Sequence, residues 1–151
     1  MIAGTVSHPA IAFEDALKQR NLDETAIAQI VGDDITLRQA LVTADFTRSI
    51  YSEDCQFQDE IDTYPIDKYI QGTKALFNAG KSHVDLDGPV VVKGSTVSFP
   101  FKETLTFNLP FNPHVYLTGH VDLTRGQDGL IMYSREHWDQ SVGEVLSHVK
   151  F

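Results

Sequence analysis

The spacing of apolar residues changes character near Gly80. Upstream, Ile11, Ala12 and Ala16, then Leu22, Ala26, Ile27 and Ile30, recur at helical intervals interrupted at Asn21-Leu22-Asp23, which predicts two short helices. A turn at Gly32-Asp33-Asp34 precedes Thr36, whose hydroxyl is placed to cap the longest helix, carrying Leu37, Leu41, Ala44, Ile50 and Tyr51 and ending near Asp54. Cys55, Phe57 and Asp59 alternate with Gln56 and Gln58 as a short strand. Pro65 then opens a helix of Ile66, Tyr69, Ile70, Leu76 and Phe77, with Gly80 as its stop.

Beyond Gly80 the period is two, and the stretch from His83 to Asp139 reads as strands punctuated by Asp87-Gly88-Pro89, Lys93-Gly94, Pro110 to Pro113 and Gly126 to Gly129. Helices followed by hairpin-linked strands imply an α+β domain, a curved antiparallel four-stranded sheet wrapped around N-terminal helices as a cone with an interior pocket. Residues 1–33 are expected to form a helical extension and residues 34–151 the domain proper.

Side-chain alternation assigns the faces. Val97, Phe99, Phe101, Leu105 and Phe107 point inward on one strand, and Val115, Leu117, Gly119, Val121 and Leu123 on the next. On the last strand the even residues, including Ser134 and Trp138, are taken as inward, with a bulge near the glycine-rich connection resetting the parity. Two acids break these apolar faces: Glu103 among phenylalanines and Glu136 between Ser134 and Trp138. If Gly119 lies opposite both, the carboxylates occupy one row with open space between them. Burial among aromatic rings raises a carboxyl pKa, and a second carboxyl raises it further, so such a pair suits a general acid and a general base. The alternative is that each acid is neutralised by an Arg or Lys, or that the register is shifted by one and both face water.

The remaining bulk properties narrow the function classes. At 151 residues, with 42% hydrophobic and 22% charged residues, one soluble globular core is expected. A net charge of −9 disfavours nucleic acid and anionic lipid as partners. The acids Glu53, Asp54, Asp59, Glu60, Asp62 and Asp67 concentrate in one stretch, read as a solvated rim. A single cysteine, Cys55, forms no intrachain disulfide, and a structural role is expected for it. No window is apolar enough to span a membrane and no secretory signal is present, which suits a cytoplasmic protein, or one of the plastid stroma after removal of a transit peptide. No dinucleotide, nucleotide or zinc-protease motif occurs, so neither cofactor nor metal is expected. His120, Asp122 and His137 are nevertheless placed to converge on the outer sheet face.

Three stretches, IYSEDCQFQDE, YIQGTKALF and DGLIMYSREHWD, together with the element order over about residues 34–142, resemble the nuclear-transport-factor-two-like superfamily of cone-shaped proteins, and most nearly its uncharacterised plant and cyanobacterial members. That superfamily includes ketosteroid isomerases, scytalone dehydratase, limonene epoxide hydrolase and SnoaL-like cyclases. The resemblance implies that Asp59 matches a proton-shuttling aspartate, with Glu60 where a proline often follows. It implies that Glu136 matches an acidic residue late in SnoaL-like chains, whose companion histidine is absent here. Val121 falls near the isomerase's protonated aspartate and cannot donate a hydrogen bond, which argues against a strict ketosteroid isomerase. An epoxide-hydrolase arrangement of Asp59, Arg135 and Glu103 requires Arg135 to point inward, and its parity places it outward.

The resulting expectation is a cofactor-independent isomerase, cyclase or dehydratase acting on a small apolar molecule. Asp59, Glu103 and Glu136 are its catalytic candidates, and the pocket is lined by Tyr51, Phe57, Phe77, Phe99, Phe101, Phe107, Leu117, Gly119, Val121, Ser134 and Trp138. Tyr51 and Tyr64 are expected near its mouth. A non-catalytic carrier or sensor, and an association module, remain alternatives, with homodimerisation through the outer sheet face implied by the fold.

Overall fold

The computed structural model describes residues 17–151, so the expected helix around Ile11 to Ala16 lies outside the described residues. The chain first forms α1 (Glu24–Thr36), capped by Asp23, whose carboxylate accepts from the Ala26 amide at 2.8 Å. Thr36 is therefore the end of a helix and not the cap of one, and Gly32-Asp33-Asp34 is helical. Ile27, Val31 and Ile35, one face of α1, are buried in the core.

The long helix expected from Thr36 to Asp54 is replaced by a short α2 (Ala40–Thr43), a single 3₁₀ turn at Arg48–Ile50 and strand β1 (Tyr51–Gln58). Gln39 and Ala44 flank α2 with φ of 58° and 59°, a left-handed conformation that ends a helix on either side. Tertiary bonds hold the break open. The Gln39 amide donates to the Val84 carbonyl at 2.9 Å and accepts from the Val84 amide at 2.8 Å, pairing with an outer strand as a neighbouring backbone would. Buried Asp34 accepts from the backbone and hydroxyl of Thr47 at 2.8 and 2.7 Å and fixes the following loop against α1.

Strand β2 (Thr63–Pro65) leads into α3 (Ile66–Leu76), as the Pro65 signal suggests. Strands β3 (His83–Leu86), β4 (Val91–Lys93), β5 (Thr96–Thr106), β6 (His114–Arg125) and β7 (Ile131–Trp138) follow, and a terminal helix α4 (Val142–Ser147) closes the chain. The architecture is α+β, as expected. The four antiparallel strands β3, β5, β6 and β7 are extended by β1 and β2 beyond β7, with β4 on β5, giving an open seven-stranded sheet ordered β2-β1-β7-β6-β5-β3. Strand β1 runs parallel to β7, a pairing that local alternation does not encode.

The inward faces of β5 and β6 are those read from the sequence, with Val97, Phe99, Phe101, Glu103 and Leu105 buried against Val115, Leu117, Val121 and Leu123. The parity reset in β7 is also present. Thr124 pairs with Tyr133 and Arg125 with Ile131, leaving Met132 as the extra residue, so that the buried set changes from Ile131 to Ser134.

Candidate active site

The register departs from the single row of carboxylates expected across Gly119. Glu103 pairs with Leu117 and Glu136 with Val121, while Gly119 faces Phe101 on one side and Trp138 on the other. The two rungs are four residues apart on β6, about 13 Å along a flat strand. The coiled sheet nevertheless directs both carboxyls into one cavity of about 240 Å³. Nor is the space above Gly119 open to a ligand: a β-carbon there would lie 2.0 Å from the His137 carbonyl oxygen and 3.0 Å from the Phe101 ring.

The cavity is roofed by α3, floored by β5, β6 and β7, and bordered by the Asp59–Tyr64 segment and α4. Asp59, Glu103 and Glu136 all line it, so the three expected carboxylates share one site. Of the expected apolar lining, Phe77, Phe107, Leu117 and Trp138 belong to it. The rest is corrected. Tyr51, Phe57, Phe99, Val121 and Ser134 surround a separate void of about 30 Å³ deeper in the core, and Phe101 and Gly119 border neither. Tyr51 is 7% exposed and packs on Phe46 with ring centroids 4.7 Å apart, so it is no mouth residue, whereas Tyr64 does line the cavity. Alternation identifies a buried face but does not divide it between a cavity and the solid core beneath.

Glu103 is 3% exposed, and its Oε2 has no hydrogen-bond partner within the protein. Burial, then the charge of Glu136, hold its carboxyl well above the ordinary range and favour its protonated form. Glu136 is pushed up to about 7, chiefly by burial and further by Asp59 and Glu60, while the Trp138 indole donates to its Oε2 at 2.7 Å and favours the ionised form. The two carboxyls are thus pushed upward together, with Glu136 changing charge near physiological pH. Asp59 is held by its own loop, its Oδ1 accepting from the amides of Ile61 and Asp62 at 2.8 and 2.9 Å.

Sequence alternation missed Tyr69, which periodicity marks only as an apolar position of α3. Its ring stacks on Phe57 with centroids 4.2 Å apart, and it lines the cavity beside Thr73. Burial and the charges of Glu136, Glu103 and Asp59 raise its pKa, keeping the phenol protonated. Also missed was α4, which contributes Val142, Val145 and Leu146. Its signal is present as the capping box Ser141 to Glu144, in which each residue's side chain bonds the other's amide at 3.1 Å.

Around this site the acidic stretch is partly neutralised. Glu53 is lowered to about 2, first by its bond to Arg48 and then by Lys18. Arg135 points away from the cavity to Glu60 at 2.6 Å, which removes the epoxide-hydrolase arrangement with Asp59 and Glu103. Cys55 is fully buried and its thiol is pushed up to about 12 by burial, consistent with a structural residue. A larger groove of about 600 Å³ lies between α1 and the segment running from the end of β3 to β4, but it is open and contains none of the buried carboxyls.

Two expectations follow from these ionisations. A buried glutamate whose folded pKa exceeds its unfolded value costs stability as pH rises from about 4.5 toward the folded pKa. Glu103→Gln is therefore expected to raise the melting temperature at pH 8, with the difference shrinking as the pH falls toward 4; equal melting curves at pH 8 would contradict a raised pKa for buried Glu103. Trp138 is the single tryptophan of the chain and is bonded to Glu136. Its emission is expected to titrate with a midpoint near 7, and Glu136→Gln to abolish that transition; a pH-independent wild-type emission would argue against the ionisation.

No protein-family model matches the chain, and no curated protein sequence does. Solved structures do. An NTF2-like superfamily protein from Salmonella enterica superposes with a TM-score of 0.57 at 14% identity, over 80% of this chain and 96% of that one. SalBIII, an epoxide hydrolase/cyclase-like enzyme with a role in pyran ring formation in the polyether salinomycin, gives 0.57 at 17% identity, over 78% and 94%. AclR, a putative hydroxylase from Streptomyces galilaeus, gives 0.50 at 14% identity, over 85% and 90%. The chain therefore has the nuclear-transport-factor-two-like fold, as its motifs implied. Among the described residues no helix is long and apolar enough to cross a membrane.

Proposed function

We propose that the cavity catalyses cofactor-independent proton transfer on a small, largely apolar carbonyl compound or its enol, with isomerisation, cyclisation or dehydration as the outcome. The observation that carries this reading is the pair of carboxyls in one largely apolar cavity, fully buried Glu103 with its pKa raised well above the ordinary range and partly buried Glu136 poised near 7. Ionised Glu136 removes a proton from the carbon beside the carbonyl, leaving the electron pair as an enolate. The Tyr69 phenol, kept protonated by burial, donates to the developing oxyanion. Glu103 delivers its proton to a different carbon for isomerisation, or to a departing hydroxyl for dehydration, and Glu136 then returns a proton to Glu103 through product release and solvent. Asp59 keeps Glu136 basic through its charge.

The cavity is smaller than the ~300–1,000 Å³ usual for ligand pockets, which selects a short or single-ring molecule. A cyclase-like structural neighbour supports the reaction class without specifying a substrate. The test is a panel of small cyclic and acyclic ketones, scored first by quenching of Trp138 and then for turnover or for deuterium uptake from solvent. Binding with turnover that depends on Glu136 supports the proposal. Binding without exchange or turnover by any member would favour a carrier.

A further inference from the structure

The outer face of the sheet, opposite the cavity, holds a second group of donors. His120 and His137 form one rung of the β6–β7 ladder, and Asp122 occupies the adjacent rung on β6. The two imidazoles stack with centroids 4.6 Å apart and planes inclined by 22°. Their Nε2 atoms lie 3.6 and 3.7 Å from one and the same oxygen, Asp122 Oδ2, and the three ligand atoms are all within 4.8 Å of one another.

Those separations exceed the ~2.7–3.2 Å of a direct N–H···O hydrogen bond, so neither ring is bonded to the carboxylate. They are close to the spacing that a bridging ion imposes: donors bound at about 2.0–2.2 Å with tetrahedral angles stand roughly 3.3–3.6 Å apart. The carboxylate is also oriented for this. The Ser98 hydroxyl on β5 donates to Asp122 Oδ1 at 2.6 Å, leaving Oδ2 toward the imidazoles, as an outer-shell partner does for a metal ligand. Arg135, the rung partner of Asp122, is drawn off to Glu60 at 2.6 Å, so its charge does not compete for the carboxylate.

We propose that His120, His137 and Asp122 bind one divalent transition-metal ion, zinc being the best match to two imidazoles and a carboxylate. The three ligands sit on two rigid strands and are half-exposed or exposed, so the ion reaches them from solvent and keeps at least one position for water or an incoming donor. This site is independent of the proton-transfer reading, since its side chains leave the opposite sheet face.

The test is calorimetric titration of tag-free protein with Zn²⁺ alone, Ni²⁺ and Mg²⁺ serving as comparison ions. One Zn²⁺ per chain is expected, with affinity reduced at least about tenfold by His120→Ala, His137→Ala or Asp122→Ala and about tenfold by Ser98→Ala. Ni²⁺ should compete for the site, Mg²⁺ should not, and His83→Ala should leave binding unchanged. Absence of Zn²⁺ binding, or binding unaltered in the His120→Ala/His137→Ala double variant, overturns the proposal. Nitrogen-15 shifts of the His120 and His137 rings in the wild-type protein provide a readout that no variant's folding can confound; rings unmoved by Zn²⁺ also overturn it.

Discussion

Glu136→Gln is expected to lower turnover by roughly 10²–10⁴-fold while leaving ligand affinity within a few-fold of wild type. The substitution preserves shape and the acceptor for the Trp138 indole, which bonds Glu136 at 2.7 Å, and removes only the group that takes the proton. Ground-state contacts are retained, so the loss falls on kcat and not on KM. The pH profile supplies a second, independent signature. Glu136 must be ionised to act, and its carboxyl lies at about 7 because burial and the charges of Asp59 and Glu60 disfavour the anion. The wild-type rate is therefore expected to fall tenfold per pH unit below about 7, where an ordinary glutamate would sustain it to about 4.3. Turnover undiminished in Glu136→Gln, or a rate flat down to pH 5, would remove Glu136 from the mechanism without touching the assignment of the cavity as a binding site.

Gly119→Ala is expected to be the most damaging single methyl addition in the sheet, costing about 4 kcal/mol or more and lowering Tm by roughly 8–16 °C. The new β-carbon would lie 2.0 Å from the His137 carbonyl oxygen and 3.0 Å from both its carbon and the Phe101 ring. Two of these atoms are backbone, so no rotamer change relieves the contact; β7 itself has to move. The displaced segment carries Glu136 and Trp138, so the Trp138 emission should change together with stability. A variant melting within 2 °C of wild type would show that β7 has freedom the close approach denies. By contrast Gly143 of α4 is exposed, and an added carbon there would meet only the Ser141 Oγ, at 4.0 Å, which makes it a suitable comparison site.

Both outcomes turn on how one segment of β7 is placed, and the chain's local pattern reads that segment only in part. Alternation along β5 and β6 singled out Glu103 as the polar intruder on a buried face, and burial there is real. Alternation along β7 with a bulge placed Glu136 inward, and the bulge is real as well, at Met132. Period-two patterning is robust because one buried face constrains every second residue. Register is a different quantity. It depends on which residues of two strands meet, and the pairings Glu103 to Leu117 and Glu136 to Val121 are set by the connections between the strands and by the bulge at Met132.

The region between Thr36 and Tyr51 shows the opposite failure. Its residues have helical spacing, yet Gln39 and Ala44 adopt left-handed conformations because the Gln39 amide is worth more as a partner for the Val84 backbone than as one more helical residue. Local propensity contributes a few tenths of a kcal/mol per residue and yields to such tertiary bonds. Tyr69 was invisible as a functional residue for a similar reason: an aromatic at a helical apolar position reads as core, and only its position over Glu136 and Glu103 gives its hydroxyl a role.

Taken by itself, the sequence determined the α+β class, the inward faces of the long strands and the two carboxyls that interrupt them, because each is written in the periodicity of neighbouring residues. Only the tertiary structure decided that Glu103, Glu136, Asp59 and Tyr69 share one cavity, and that Phe99 and Val121 border a separate void while Phe101 borders neither. Sheet coiling and helix packing set distances between residues far apart in the chain, and no local pattern records those distances.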